Sequence, residues 1–198
     1  MSYDIGTILS GPDLASAKSD FNNGAKPLAT KGGASQVSGW QAISGSLVGN
    51  YAVITRWDSL DAAGDWIAET SEQAGPGGDT EQLLSRYQVV MRGIFEEVVD
   101  VGDPSGKYMM VSRFTMGASP IGLDYAAQLP VDAGANGARI TLGLSVGEWS
   151  GQLVGSTFFD SLDTLAGVLG QVSRDERFRA NAVASGAKLE SRTIMRVL

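Results

Sequence analysis

The sequence predicts an α+β fold built from two tandem β-α-β-β-α-β units with antiparallel sheets, and three observations predict it. First, the tetrapeptide Asp58-Ser59-Leu60-Asp61 recurs as Asp160-Ser161-Leu162-Asp163, a shift of 102 residues (58 to 160). Second, its surroundings recur at the same shift. Gly49 matches Gly151, Thr55 matches Thr157 and Trp57 matches Phe159, while the helical stripe Leu60, Ala63, Ile67 returns as Leu162, Leu165, Leu169. Third, Tyr3 pairs with Tyr108, Pro27-Leu28 with Pro130-Val131 and Ser85-Arg86 with Ser191-Arg192 at slightly drifting shifts. An ordered series across both halves reads as an internal duplication. It divides the chain into units at 1–98 and 107–198, with a linker at 99–106.

Within the first unit, residues 3–10 read as a strand. Pro12 opens a helix whose apolar residues Leu14, Ala17, Phe21 and Leu28 keep helical spacing, and Gly32-Gly33 ends it. Pro27 falls inside that helix, as Pro130 does in the second copy, and an interior proline predicts a kink or a new turn. Strands at 36–47 and 51–57 follow, joined through Gly49-Asn50, a pair that tolerates positive φ. The tetrapeptide then starts a helix: Asp58 or Ser59 caps free N–H groups, and Asp61 complements the helix dipole. A strand near 85–95 closes the unit. The second unit reads as strands near 107–116, 138–147, 152–159 and 189–197, with helices near 121–132 and 162–181. The last helix carries Arg174, Asp175, Glu176, Arg177 and Arg179, a pattern that reads as a solvated face.

Composition removes whole classes of chemistry. The 198 residues include neither His nor Cys, which excludes His-based general catalysis, thiolate nucleophiles, iron–sulfur clusters, and zinc or haem sites that need those ligands. A formal net charge of -7 argues against a nonspecific grip on nucleic acid, which needs clustered Lys and Arg. No apolar run reaches the length of a membrane span, so a cytoplasmic protein is expected. The glycines at Gly75, Gly77 and Gly78, and at Gly134 and Gly137, lack the Lys-Ser/Thr ending of a phosphate loop and are expected to be loops at the barrel mouth. No cofactor and no metal site are called for.

The β-α-β-β-α-β order is the ferredoxin-like arrangement. The segment from Asn50 to Trp66, its counterpart from Gln152 to Gly167, and the helix end Lys26-Pro-Leu-Ala-Thr-Lys-Gly-Gly-Ala34 resemble the dimeric α/β-barrel superfamily. This group includes antibiotic-biosynthesis-type monooxygenases and stress-responsive α/β-barrel proteins. The resemblance implies two ferredoxin-like units whose sheets enclose a barrel. It further implies a small-molecule-binding protein, either a cofactor-independent oxygenase or isomerase acting on an aromatic or polyketide-like compound, or a noncatalytic binding or assembly module with a side-chain-filled barrel. Haem-using relatives ligate iron through His, which this chain lacks. A small-molecule ligand and a homo-oligomer are the partners this reading allows; nucleic acid and membrane are not.

Five residues are candidates for ligand contact. On the strand at 51–57, alternation separates Tyr51, Val53, Thr55 and Trp57 from Ala52, Ile54 and Arg56. Arg56 stands out in an apolar run and, with Arg113 on the other copy, suits an anionic oxygen in a barrel pocket. Each also reads as a strand-end arginine whose head reaches solvent. Trp40 and Trp57 are candidate aromatic walls, equally compatible with core packing, and Tyr108 is a candidate hydrogen-bonding group or a satisfied buried tyrosine.

Overall fold

The computed structural model describes residues 2–73, 81, 85–115 and 122–198. The first unit runs β1 (Tyr3–Ser10), α1 (Leu14–Asp20), a π turn (Phe21–Ala25), α2 (Lys26–Lys31), β2 (Gln36–Ala42), β3 (Tyr51–Trp57), α3 (Leu60–Gln73) and β4 (Gln88–Gly102). The second runs β5 (Tyr108–Thr115), α4 (Leu123–Asp132), β6 (Gly137–Ser145), β7 (Leu153–Phe159), α5 (Leu162–Val172), α6 (Glu176–Ala184) and β8 (Lys188–Val197). Within each unit the strands lie in the order fourth, first, third, second. β2 then pairs with β8 and β6 with β4, closing the described strands into one antiparallel barrel, β1-β3-β2-β8-β5-β7-β6-β4. Closure leaves no sheet edge to template association.

Local chemistry explains the elements. Asp13 caps α1, accepting hydrogen bonds from the N–H groups of Ala15 and Ser16 at 2.9 and 3.1 Å. In the recurring tetrapeptide the serine is a cap in both copies: Ala62 N–H donates to Ser59 Oγ at 3.1 Å, and Thr164 N–H to Ser161 Oγ at 3.0 Å. Pro27 stands at the start of α2, directly after the π turn. The wider π ring there relieves the clash a proline makes with the preceding turn. Pro130 lies near the C-terminal end of α4, and Gly134 at φ 110° leads out of that helix.

Several expected boundaries move. β4 continues through Gly102 because residues 99–102 pair with β6, so the first half of the expected 99–106 linker is strand. β2 stops at Ala42 because the N–H groups of Ile43 and Ser44 turn to the Ile194 carbonyl at 2.8 and 3.3 Å. The expected helix at 162–181 is two helices: Asp175 takes an extended conformation and caps α6, accepting from Phe178 N–H at 2.7 Å. Gly134 and Gly137 belong to a helix end and a strand start, not to a barrel-mouth loop. Gly75, Gly77 and Gly78 lie outside the described residues.

Strand alternation sorts the apolar side chains into layers. Inside the barrel, Ile8, Trp40, Ala42 and Ala52 of the first unit pack with Met109, Phe158 and Met195 of the second. Between the first sheet and its helices lie Ile5, Ala29, Ala34, Trp57 and Ala63. The corresponding second-unit layer is built from Met110, Ala135, Phe159, Leu165 and Val168, continued under α4 by Ala127, Ala138, Ile140 and Leu153. No helix among the described residues is long and apolar enough to cross a membrane.

Candidate functional site

The barrel interior is occupied by side chains. At one end is an ionic network: Arg139 donates to Asp4 Oδ2 at 3.2 Å and to Asp100 Oδ2 at 2.9 Å, and Arg56 donates to Asp100 at 3.1 Å and also pairs with Glu97. Burial pushes the Asp4 carboxyl above its ordinary pKa, against the opposing pull of Arg139 and Arg56. A void of about 30 Å³ borders Asp4, Gln36, Arg56 and Arg139, on the scale of a single water. The Arg113 guanidinium, mostly buried, lies 5.0 Å from the Trp149 ring centroid and 3.7 Å from the exposed Glu148.

The large cavity is elsewhere. It lies between the sheet of the second unit and helices α4, α5 and α6, and has a volume of about 620 Å³. Its walls are mostly apolar, with Met110, Leu123, Ile140, Leu153, Val168, Leu169, Phe114 and Phe178 among them. The opening arises from small residues on the facing surfaces: Ala126 and Ala127 on α4, Gly155 on β7, Gly170 on α5, and Ala182 on α6. A Cβ at Gly155 would meet Phe114 only at ordinary contact distance, 3.7 Å.

Polar side chains are the minority of the lining: Ser112, Arg139, Ser156, Thr157, Ser173, Asn181, Ser185 and Arg192. Arg192 on β8 borders the cavity and donates from Nε to Ser112 Oγ at 3.3 Å. Ser112 is buried whereas Arg192 is itself exposed, and the partial loss of hydration beside the sheet lowers the pKa of Arg192. Arg139 also borders the cavity, but its nitrogens are engaged with Asp4, Asp100 and Gln36. No Asp, Glu, Lys or Tyr is among the described lining residues. α6 forms one wall through Phe178, Asn181, Ala182 and Ser185, tied to α4 by the Tyr125 hydroxyl donating to Asp175 at 2.9 Å. The Arg177 guanidinium over the Tyr125 ring, 4.1 Å from its centroid, adds to this tie.

None of the five sequence candidates is among the described residues lining this cavity. Arg56 and Arg113 are paired as described above. Trp40 faces the barrel interior, 6.1 Å from Phe158, with its indole N–H on Ser38 Oγ at 3.0 Å. Trp57 faces the helices of the first unit, fully buried, 5.3 Å from Trp66 and donating to Thr55 Oγ1 at 2.8 Å. Tyr108 packs partly buried against the Met110 and Phe159 layer. Sequence reasoning missed Arg192, although Ser191-Arg192 belonged to the repeat series; no local motif marks it as facing a void. A haem does not fit: the chain has no His or Cys, and Met110 supplies the only sulfur of the described lining.

No protein-family model matches the chain, and no curated protein matches it in sequence. Solved structures do match. An anthrone oxidase-like protein superposes with a TM-score of 0.57 at 12% identity, covering 100% of this chain and 91% of that one. A cyanide complex of a chlorite dismutase variant from Candidatus Nitrospira defluvii gives 0.59 at 11%, covering 100% and 90%. A protein from Lactobacillus acidophilus, named provisionally as a monooxygenase, gives 0.55 at 8%, covering 98% and 93%. At such identities the likeness concerns the backbone alone, and it shows the fold: this chain has a dimeric α/β-barrel fold with both ferredoxin-like units in one polypeptide.

Proposed function

We propose that the protein binds a small, mainly apolar molecule between the sheet and the helices of its second unit. The observation that carries this reading is the cavity of about 620 Å³ with mainly apolar walls and a minority of polar side chains, the usual dimensions and lining of a small-molecule site. The match in strand register between the units, Tyr3 opposite Trp57 and Tyr108 opposite Phe159, supports reading them as copies of one ancestor, of which one has become the binding unit.

The narrower reading, a cofactor-independent oxygenase or isomerase, draws support from the oxidase-like and monooxygenase names among the structural neighbours. It is constrained by the lining: Arg192 can hold an oxyanion but is too basic to accept a proton, and no other free ionisable group is among the described lining residues. A substrate handled here would have to arrive already acidic enough to ionise in water. Binding therefore ranks ahead of catalysis.

The test is a fluorescence titration with N-phenyl-1-naphthylamine, a neutral apolar dye that brightens when desolvated. Saturable 1:1 binding is expected for the wild type and loss of it for Gly155→Leu, whose side chain projects into the cavity. Absence of binding by the wild type, or undiminished binding by Gly155→Leu, overturns the proposal.

A further inference from the structure

We infer that the cavity selects an anion, a molecule with an apolar body and one carboxylate or sulfonate group, and that Arg192 is the residue that reads the charge. This rests on the binding role proposed above and adds the chemical class of the ligand.

The case begins with the company each arginine keeps. Arg56, Arg113 and Arg139, which face the barrel interior, all have carboxylates within ion-pair reach. Arg192 has none among the described residues, and its recorded hydrogen bond is the 3.3 Å contact from Nε to Ser112 Oγ. The N–H groups of its two terminal nitrogens are left without a protein acceptor among those residues. Arg192 is itself exposed where it lines the cavity, so these groups are open both to solvent and to the charged end of a ligand, while most of the other walls are hydrocarbon. A guanidinium so placed remains charged at neutral pH, and its planar fork matches a carboxylate or sulfonate in bidentate geometry.

The first unit supplies an internal control. Arg92 occupies the equivalent place, opposite Thr7 as Arg192 is opposite Ser112, and donates from Nε to Thr7 Oγ1 at 3.2 Å. The arginine–hydroxyl contact is therefore a feature of the unit's fold. What differs is the space: the gap described on that side of the first unit is about 40 Å³, and Arg92 is not among its lining residues. Among the described residues, the guanidinium of Arg192 borders a cavity that a ligand can enter and that of Arg92 does not.

The experiment pairs two dyes of one skeleton, N-phenyl-1-naphthylamine and its 8-sulfonate, titrated at physiological ionic strength. For the wild type the sulfonate should bind about 10-fold or more tightly than the neutral dye, as expected for one charge-assisted bidentate contact. Arg192→Gln should abolish that preference, the two dyes then binding within a few-fold of one another, and Arg92→Gln should leave the preference in place. Should Arg192→Gln melt early, Arg192→Met keeps the apolar stem in place and carries the same expectation. Equal affinity of the wild type for both dyes, or a sulfonate preference that survives loss of Arg192 or vanishes with Arg92, overturns this inference while leaving the cavity reading standing. Failure of both dyes to bind the wild type overturns both.

Discussion

The two units share a topology and a register but treat the space under their helices in opposite ways. Along the helix-facing side of β3 stand Tyr51, Val53 and Trp57; at the same places on β7 stand Leu153, Gly155 and Phe159, each smaller. In the first unit Trp57 packs on Trp66, Phe21 lies over Gly39, and Tyr87 reaches Asp20 at 2.9 Å. Burial and that hydrogen bond push the Tyr87 hydroxyl well above its usual pKa, so it remains a neutral donor. The exchange is not uniform, since β6 carries Ile140 where β2 carries Gly39 in the corresponding strand pair. The balance nonetheless leaves, among the described residues, the first interface with a gap of about 40 Å³ and the second with a cavity of about 620 Å³. A few aromatic-to-aliphatic and side-chain-to-glycine differences are enough to turn a packed structural layer into a candidate site without disturbing the barrel.

The sharpest way to break this contrast is to truncate each layer. Trp57→Ala should cost about 3–5 kcal/mol, because a fully buried indole leaves a cavity that close-packed neighbours cannot collapse. Leu169→Ala should cost about 2 kcal/mol or less, since that side chain already borders open space and has fewer contacts to lose. Urea denaturation of the two variants checks the difference, and equal costs would mean that the second interface is as tightly packed as the first.

Adding atoms should reverse the sign between units. A Cβ at Gly39 would lie 2.8 Å from the Phe21 ring, so Gly39→Ala should destabilise by about 1–3 kcal/mol. Gly155→Leu should stabilise by about 1 kcal/mol, because it fills void and removes a strand glycine. Thermal melts of both variants would show the opposite shifts directly; a lower melting temperature for Gly155→Leu would contradict the cavity's shape.

The smallest effect concerns α6, the hollow unit's outer wall. Hydrogen bonds from Phe178 N–H and the Tyr125 hydroxyl hold the Asp175 carboxyl below its ordinary value of 3.8. A carboxylate with a depressed folded-state pKa stabilises the fold above that ordinary value, and the stabilisation is lost as the pH falls through the lower folded one. The protection of amides 176–184, taken relative to the intrinsic exchange rate at each pH, should therefore fall on acidification below about pH 3.8. Asp175→Ala should already show that loss of protection at pH 6, with little change in the strands. Unchanged exchange in the variant would show that α6 is held by packing alone.

Much of this was legible in the sequence. The recurring tetrapeptide and its flanking stripes located two like units, and Ser59 and Ser161 act as the caps that short-range chemistry requires. Strand alternation also separated Ala52, Ile54 and Arg56 from Tyr51, Val53, Thr55 and Trp57, as the two faces of β3 do. Which face held open space was decided only by the tertiary structure. A strand's pattern gives the identity of the residues on each side but not the distance to what covers them. The volume under α4, α5 and α6 is a small difference between large, nearly matched surfaces contributed by distant segments. Arg56 drew attention because it interrupts an apolar run, yet Glu97 and Asp100, more than forty residues away on β4, neutralise it. Arg192, ordinary in its local context and exposed, has no such partner among the described residues, because the helices on that side of the sheet bring no carboxylate within reach there. Caps, periodicity and repeats are local or additive and can be read along a chain; cavities and counter-ions depend on which remote residues meet, and only the folded chain settles that.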